Sequence, residues 1–125
     1  MPNTLESTKP LFLQIKENIE DQIVNGELQE HEQIPSTTQM VHFYKINHLT
    51  VSRGIQMLVE SGILYKKRGV GMFVAEGAKQ KLIQERRERF ASQYVRPMLE
   101  EAGKLGISKQ DIIELMNQME GREQP

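Results

Sequence analysis

Two helix-capping signals, at Ser36 and Asn47, constrain this chain more than any other feature. Ser36 is followed three residues later by Gln39, the spacing of a capping box in which each side chain binds the other residue's backbone at a helix start. Asn47 is a second good capping residue, and only a short Lys45-Ile46 turn separates it from the apolar segment that ends at Tyr44. The spacing therefore predicts two short helices joined by a tight turn, the arrangement of a helix-turn-helix.

Helical stripes lie on both sides of this turn. Pro10 suits the first turn of a helix, and Gly26 ends the apolar pattern that follows it. The helix that begins at Asn47 carries a second stripe and ends at Gly62. The inward positions are Leu11, Ile15, Ile19, Ile23 and Val24 in the first helix, and Val51, Ile55, Leu58 and Val59 in the helix after Asn47.

A basic β-hairpin is predicted next. Residues 63–68 and 72–75 have strand-like composition and flank the turn Gly69-Val70-Gly71. The run Lys66-Lys67-Arg68 places three positive charges beside glycines that let a second backbone approach closely. Two explanations stay open for these cations: contact with a DNA backbone, or protection of an exposed strand edge.

The C-terminal region predicts helices that need a partner. The pattern indicates one helix from about Ala78 to Ala102 with a kink at Pro97, a break at Gly103 and Gly106, and a last helix opened by Ser108 and Asp111. Because so small a chain has little else to cover the apolar stripe, we expect a second subunit to cover it. The last helix could also fold back onto the stripe and bury part of it. The expected dimer interface is Ile83, Phe90, Tyr94, Met98, Ile112 and Met116.

These elements predict a mainly α fold with a small β-hairpin. We expect a winged helix-turn-helix domain over residues 1–77 and a short two-helix dimerisation region over residues 78–125.

Composition excludes several classes of function. The chain lacks cysteine and is 38% hydrophobic and 26% charged, and its apolar runs are too short to cross a bilayer. We find no signal peptide, so a cytoplasmic location and no membrane partner are expected. His31, His42 and His48 form no recognisable catalytic or zinc-binding spacing, and no phosphate-binding glycine motif is present. The sequence therefore predicts no enzyme, no cofactor and no metal.

The layout of charge is more informative than the net charge of −1. Residues 1–40 carry two cations and seven anions, whereas residues 41–75 carry five cations and one anion. A basic middle segment is typical of a phosphate-binding surface, although uneven charge also arises by chance in a short chain.

In a helix-turn-helix, the first turns of the second helix reach base edges in the major groove. Arg53 is the strongest candidate, because its guanidinium binds guanine bidentately or bridges a phosphate. Ser36 and Asn47 have capping as their main expected role. The predicted DNA-binding residues are Ser36, Thr38, Asn47, His48, Leu49, Thr50, Ser52, Arg53, Lys66, Lys67, Arg68, Gly69 and Gly71.

The order of short motifs is similar to that of the winged helix-turn-helix domain of GntR-family bacterial transcriptional regulators. The resemblance covers residues 10–75, and the short tail resembles the dimerisation region of the YtrA-like subfamily. It rests on Pro10-Leu11-Phe12-Leu13-Gln14-Ile15, Gly26-Glu27-Leu28, Ile34-Pro35-Ser36, Thr50-Val51, Gly62-Ile63-Leu64-Tyr65, Arg68-Gly69-Val70-Gly71-Met72-Phe73-Val74, Val95-Arg96-Pro97-Met98-Leu99 and Leu105-Gly106-Ile107-Ser108.

The resemblance implies a homodimer on a two-fold symmetric double-stranded DNA operator, most often a repressor and frequently one that controls a transporter operon. The family commonly has basic residues where this chain has Thr38, His48 and Ser52, so the main basic contact is assigned to Arg53. Lys45 stands where a turn glycine is usual, which predicts a left-handed backbone there.

Two other functions stay open. Winged helices also serve as protein-binding modules, and acidic residues 17–32 would suit a basic protein partner. The other open function is that of a ligand sensor, with a small apolar pocket between the wing domain and the tail, but no residue identifies an effector.

Overall fold

The computed structural model describes residues 8–123, which form two compact units that divide between Glu85 and Arg86. Six α-helices and one two-stranded antiparallel sheet are present in this part of the chain. The elements are α1 (Leu11–Val24), α2 (Thr37–Tyr44), α3 (His48–Glu60), β1 (Leu64–Lys67), β2 (Gly71–Val74), α4 (Ala78–Phe90), α5 (Arg96–Leu105) and α6 (Lys109–Glu123), with a π-helical turn over Ala91–Val95.

The two capping signals stand at the helix starts that they predict. Ser36 Oγ accepts from the Gln39 backbone N–H at 3.1 Å, and Gln39 Oε1 accepts from the Ser36 N–H at 2.8 Å. Asn47 Oδ1 accepts from the Thr50 N–H at 3.1 Å. Between the helices, Lys45 has a left-handed backbone with φ of 57°, as its position in the turn predicts. The helix-turn-helix is therefore built largely from local hydrogen bonds.

The core of the first unit lies between α1, α2, α3 and the hairpin. The inward stripes predicted for α1 and α3 supply much of it, and Ile15, Val51 and Leu58 have no exposed surface. The prediction is wrong for Leu11, which lies in the first turn of α1 and is 44% exposed. α1 and α3 approach each other closely at Gly54, where an added Cβ would lie 2.7 Å from the Phe12 carbonyl oxygen. That proximity leaves room only for glycine.

The hairpin pairs Leu64 with Val74 and Lys67 with Gly71. A third segment extends it, because Gln33 bridges to Phe73 and the Ile34 N–H donates to the Met72 carbonyl at 3.0 Å. This segment joins the hairpin to α2. The sequence does not predict this pairing, since the two partners lie far apart in the chain.

The structure differs from the single helix predicted for residues 78–102, because it has α4, the π-helical turn and α5 there. Ala78 and Leu82 are buried in the core of the first unit, so the start of α4 belongs to that core. Between α4 and α5 the π-helical turn precedes Pro97, which lies in the first turn of α5. The predicted break at Gly103 is wrong: Gly103 lies inside α5, and the helix ends at Gly106, whose φ of 69° is left-handed.

The last helix begins as predicted. Asp111 N–H donates to Ser108 Oγ and Ser108 N–H donates to Asp111 Oδ2, both at 3.1 Å. The observed architecture is mainly helical with one small hairpin, as predicted. Within residues 8–123 no helix combines the length and apolar character needed to cross a bilayer.

Candidate nucleic-acid interface

The first turns of α3 present a group of exposed side chains. Asn47, His48 and Arg53 are exposed, and Leu49 has 77% of its surface accessible although it is a large apolar residue. Val51 and Ile55 face the core, so the exposed side chains lie on the opposite face. A helix with this distribution offers one hydrophobic, one amide, one imidazole and one guanidinium group to a groove.

The hydroxyl groups near this end are less accessible. Thr50 and Ser52 are half-buried, and Ser52 Oγ lies 3.5 Å from His48 Nδ1 one turn earlier. Thr38 is exposed in the first turn of α2. The side-chain oxygens of Ser36 and Asn47 accept backbone N–H groups, the structural role that the sequence favoured for both residues.

Arg53 has a partner that the sequence did not predict. Its guanidinium carbon lies 3.9 Å from the centre of the Phe12 ring on α1. Within residues 8–123 the guanidinium makes no hydrogen bond or ion pair. Its five N–H donors are therefore available to an incoming ligand.

The wing, defined here as residues 64–74, carries the predicted cations at its tip. Lys66, Arg68 and Gly69 are exposed, and the exposed Lys67 has its Nζ 4.7 Å from the centre of the Phe73 ring. Val70, at the turn, is 60% exposed and was not among the predicted contacts. The wing therefore presents an apolar tip flanked by positive charge.

Gly71 is placed differently from Gly69. It is half-buried with φ of 147°, and an added Cβ would lie 2.5 Å from Gln33 Nε2. Gln33 was missed because its role depends on a contact between distant segments. The predicted role of Gly71 in DNA contact is untested, whereas its packing against Gln33 is observed.

The predicted dimer residues fall on surfaces of differing exposure. Phe90, Tyr94, Met98 and Met116 are exposed, whereas Ile112 is half-buried. Ile83 is also half-buried and lies in the first unit. In the second unit, Ala102 alone is buried among the residues whose exposure is described, 86–121. That unit therefore lacks a dry core of its own.

One cluster of potential metal ligands was not predicted. A ring nitrogen of His31 and carboxylate oxygens of Glu30 and Glu76 lie within 4.8 Å of one another, and all three residues are exposed. Two of these residues have local structural contacts: Glu30 Oε1 accepts from the Gly77 N–H at 2.8 Å, and His31 Nδ1 lies 3.0 Å from the Tyr65 hydroxyl. These contacts account for the positions of Glu30 and His31 without a cation.

The capped helix pair, the hairpin and the exposed basic positions define a winged helix-turn-helix of the DNA-binding class. The family model described as "Bacterial regulatory proteins, gntR family" matches residues 11–74, more than half of the chain. The chain belongs to this family. Its members are DNA-binding transcriptional regulators rather than enzymes, as the sequence predicts.

Two relatives show how far the likeness extends. The uncharacterized HTH-type transcriptional regulator YhcF of Bacillus subtilis is 29% identical over 114 residues, which are 91% of this chain and 93% of that protein. The HTH-type transcriptional repressor NagR of the same organism is 34% identical over 79 residues, 63% of this chain but 32% of its own length. Likeness to the repressor is thus confined to part of that larger protein.

Solved structures likewise resemble this chain over either most of its length or only part of it. A transcriptional regulator of the GntR family from Bacteroides thetaiotaomicron has a TM-score of 0.74 and 34% identity, covering 91% of this chain and 99% of that one. The DNA-binding domain of AraR, in complex with operator ORE1, has a TM-score of 0.53 and 30% identity, covering 60% of this chain and 94% of that one. The GntR fold is confirmed, and one related domain is seen on its operator.

Proposed function

We propose that this chain is a dimeric, cytoplasmic repressor that binds a palindromic operator, with α3 in the major groove and the wing on the DNA backbone. The observation that carries the proposal is the exposed first turns of α3, above all the Arg53 guanidinium, whose donors have no partner among residues 8–123. The AraR domain bound to an operator supports DNA as the ligand, and repressors among the relatives support the direction of control.

In this proposal the wing supplies affinity without sequence information. Lys66, Lys67 and Arg68 are exposed cations at its tip, and side chains of this kind contact phosphates. If a dimer neutralises about 6 phosphates, log affinity falls with log salt at a slope of about −5.

Pairing of two chains is supported by the second unit. It exposes large apolar side chains on α5 and α6, including Leu105 at 62% and Met119 at 60%, around a groove of about 300 Å³. Exposed apolar surface of this kind marks an interaction site, and a second copy would give the two-fold symmetry that a palindrome requires. Two half-sites one helical turn apart would follow.

The YtrA-like subfamily is part of the proposal through the motifs at residues 95–99 and 105–108. Membership of that subfamily would imply control of a transporter operon. The test is whether the selected operator sequence occurs in the promoters of such operons.

Selection from a random DNA duplex library at physiological salt tests the proposal. The wild-type chain is compared with Arg53→Ala and with Lys104→Ala, a control that loses the same charge from the exposed surface of α5. We expect an enriched palindrome with half-sites about 10 base pairs apart. Arg53→Ala should lose about 1–3 kcal/mol on this operator if Arg53 contacts a base, and Lys104→Ala should keep wild-type affinity.

Absence of an enriched sequence, or binding of any duplex with equal affinity, would contradict the repressor. A protein-binding module would give that result together with a weak salt dependence.

A further inference from the structure

We infer that Phe12 is a positioning residue for DNA reading: its ring holds the Arg53 guanidinium beside α1, ready for the operator. The inference rests on the proposed function, since it assigns a role toward the same DNA site. It extends the reading surface to α1, a helix for which the sequence predicts core packing but no contact with DNA.

The first support is the geometry of the pair. The guanidinium carbon lies 3.9 Å from the ring centre, well within the range of about 6 Å over which a cation is attracted to an aromatic face. Phe12 is half-buried and Arg53 is exposed, so the more enclosed ring offers a contact that restricts the guanidinium. An arginine held this way has fewer conformations to lose when it binds.

The second support is the backbone beneath the pair. Gly54 follows Arg53 directly, and an added Cβ there would lie 2.7 Å from the carbonyl oxygen of Phe12 itself. The close approach of α1 and α3 at this point therefore sets the positions of Phe12 and Arg53 relative to each other.

The third support is chemical. Contact with a ring face uses the positive charge of the guanidinium but leaves the N–H groups free for hydrogen bonds. Within residues 8–123 those groups donate to no other residue. A guanidinium with a fixed position and free donors is suited to bidentate recognition of a guanine edge.

A double-mutant cycle tests the inference with the operator selected by the wild-type chain. Dissociation constants are measured by fluorescence anisotropy for Phe12→Leu, Phe12→Tyr, Arg53→Ala and the double variant Phe12→Leu/Arg53→Ala. Leucine removes the aromatic face, whereas tyrosine keeps it. Thermal unfolding of each variant defines a temperature at which all are folded.

We expect Phe12→Leu to weaken operator binding about 2- to 5-fold per recognition helix, the equivalent of an exposed cation–π contact. Phe12→Tyr should bind as the wild type does. In the Arg53→Ala background, Phe12→Leu should have no further effect, because the group that it positions is gone. Repeating the selection with Phe12→Leu should relax the same base pair that Arg53→Ala relaxes.

A role in packing alone predicts a different result. Phe12→Leu would then weaken operator binding equally with and without the Arg53 side chain, or Phe12→Tyr would bind the operator more weakly than the wild type. Either result overturns the inference. An operator bound equally well by Phe12→Leu and wild type overturns the inference but leaves the repressor intact. Absence of any enriched operator for the wild type overturns both.

Discussion

The side-chain amide of Gln33 donates a hydrogen bond to the backbone carbonyl oxygen of Val70, with 3.0 Å between nitrogen and oxygen. The contact links the segment before α2 to the tip of the wing. Because the same amide nitrogen lies only 2.5 Å from where a Cβ of Gly71 would be, the turn is fitted to a glycine.

Gly71→Ala should disturb the wing. Its φ of 147° is strained for a residue with a side chain, and this strain is the main expected cost. The new Cβ would also lie 2.5 Å from Gln33 Nε2, which must move and give up its hydrogen bond to Val70. We expect a loss of about 1–3 kcal/mol in the free energy of unfolding, measured by urea denaturation, with weaker operator binding. Gly103→Ala is the control, since no atom lies within 4 Å of its added Cβ inside α5. An unchanged midpoint for Gly71→Ala would contradict the expected backbone strain as well as the cost of moving Gln33.

Gly54→Ala should destabilise the first unit, although alanine is the better helix former by about 1 kcal/mol. The added Cβ would lie 2.7 Å from the Phe12 carbonyl oxygen, and relief requires α1 and α3 to separate. We expect a net loss of about 1–3 kcal/mol, because overpacking outweighs the gain in helix propensity. The measurement is chemical denaturation. A midpoint at or above that of the wild type would contradict the close approach of the helices.

Ser36 variants separate helix capping from DNA contact. Ser36→Ala removes the acceptor of the Gln39 N–H and should cost about 1 kcal/mol of stability by thermal or urea unfolding. Ser36→Asp restores a capping acceptor and should keep the stability near that of the wild type. If Ser36 also faces a phosphate, the added negative charge will weaken operator binding by repulsion. Equal stability of the alanine and wild-type chains would show that the cap is dispensable.

Phe90→Asp should convert the proposed dimer to a monomer. Phe90 is exposed beside Tyr94, with ring centres 6.0 Å apart, and a buried carboxylate without a partner would oppose association. Light scattering measures the mass. Gln93→Asp adds the same charge at an exposed polar position nearby and should remain dimeric. A dimeric Phe90→Asp chain would place the interface elsewhere.

The local elements follow directly from the sequence. Ser36 with Gln39 and Asn47 with Thr50 act over three residues, so the residue types alone predict where α2 and α3 begin. The glycine-rich turn and the inward stripes were predictable for the same reason. Gly103 was misjudged because a glycine is tolerated inside a helix when the rest of the segment favours it.

The tertiary structure decided which distant residues meet. Phe12 and Arg53 come together only because α1 crosses α3 at Gly54, and Gln33 reaches Val70 only because a third segment pairs with β2. Residue type and spacing report backbone preferences within a few positions of the chain, whereas these contacts depend on the packing of whole elements. The sequence by itself therefore determined the helix-turn-helix, the basic wing and the family resemblance. Packing determined which aromatic ring lies against the arginine proposed to read DNA.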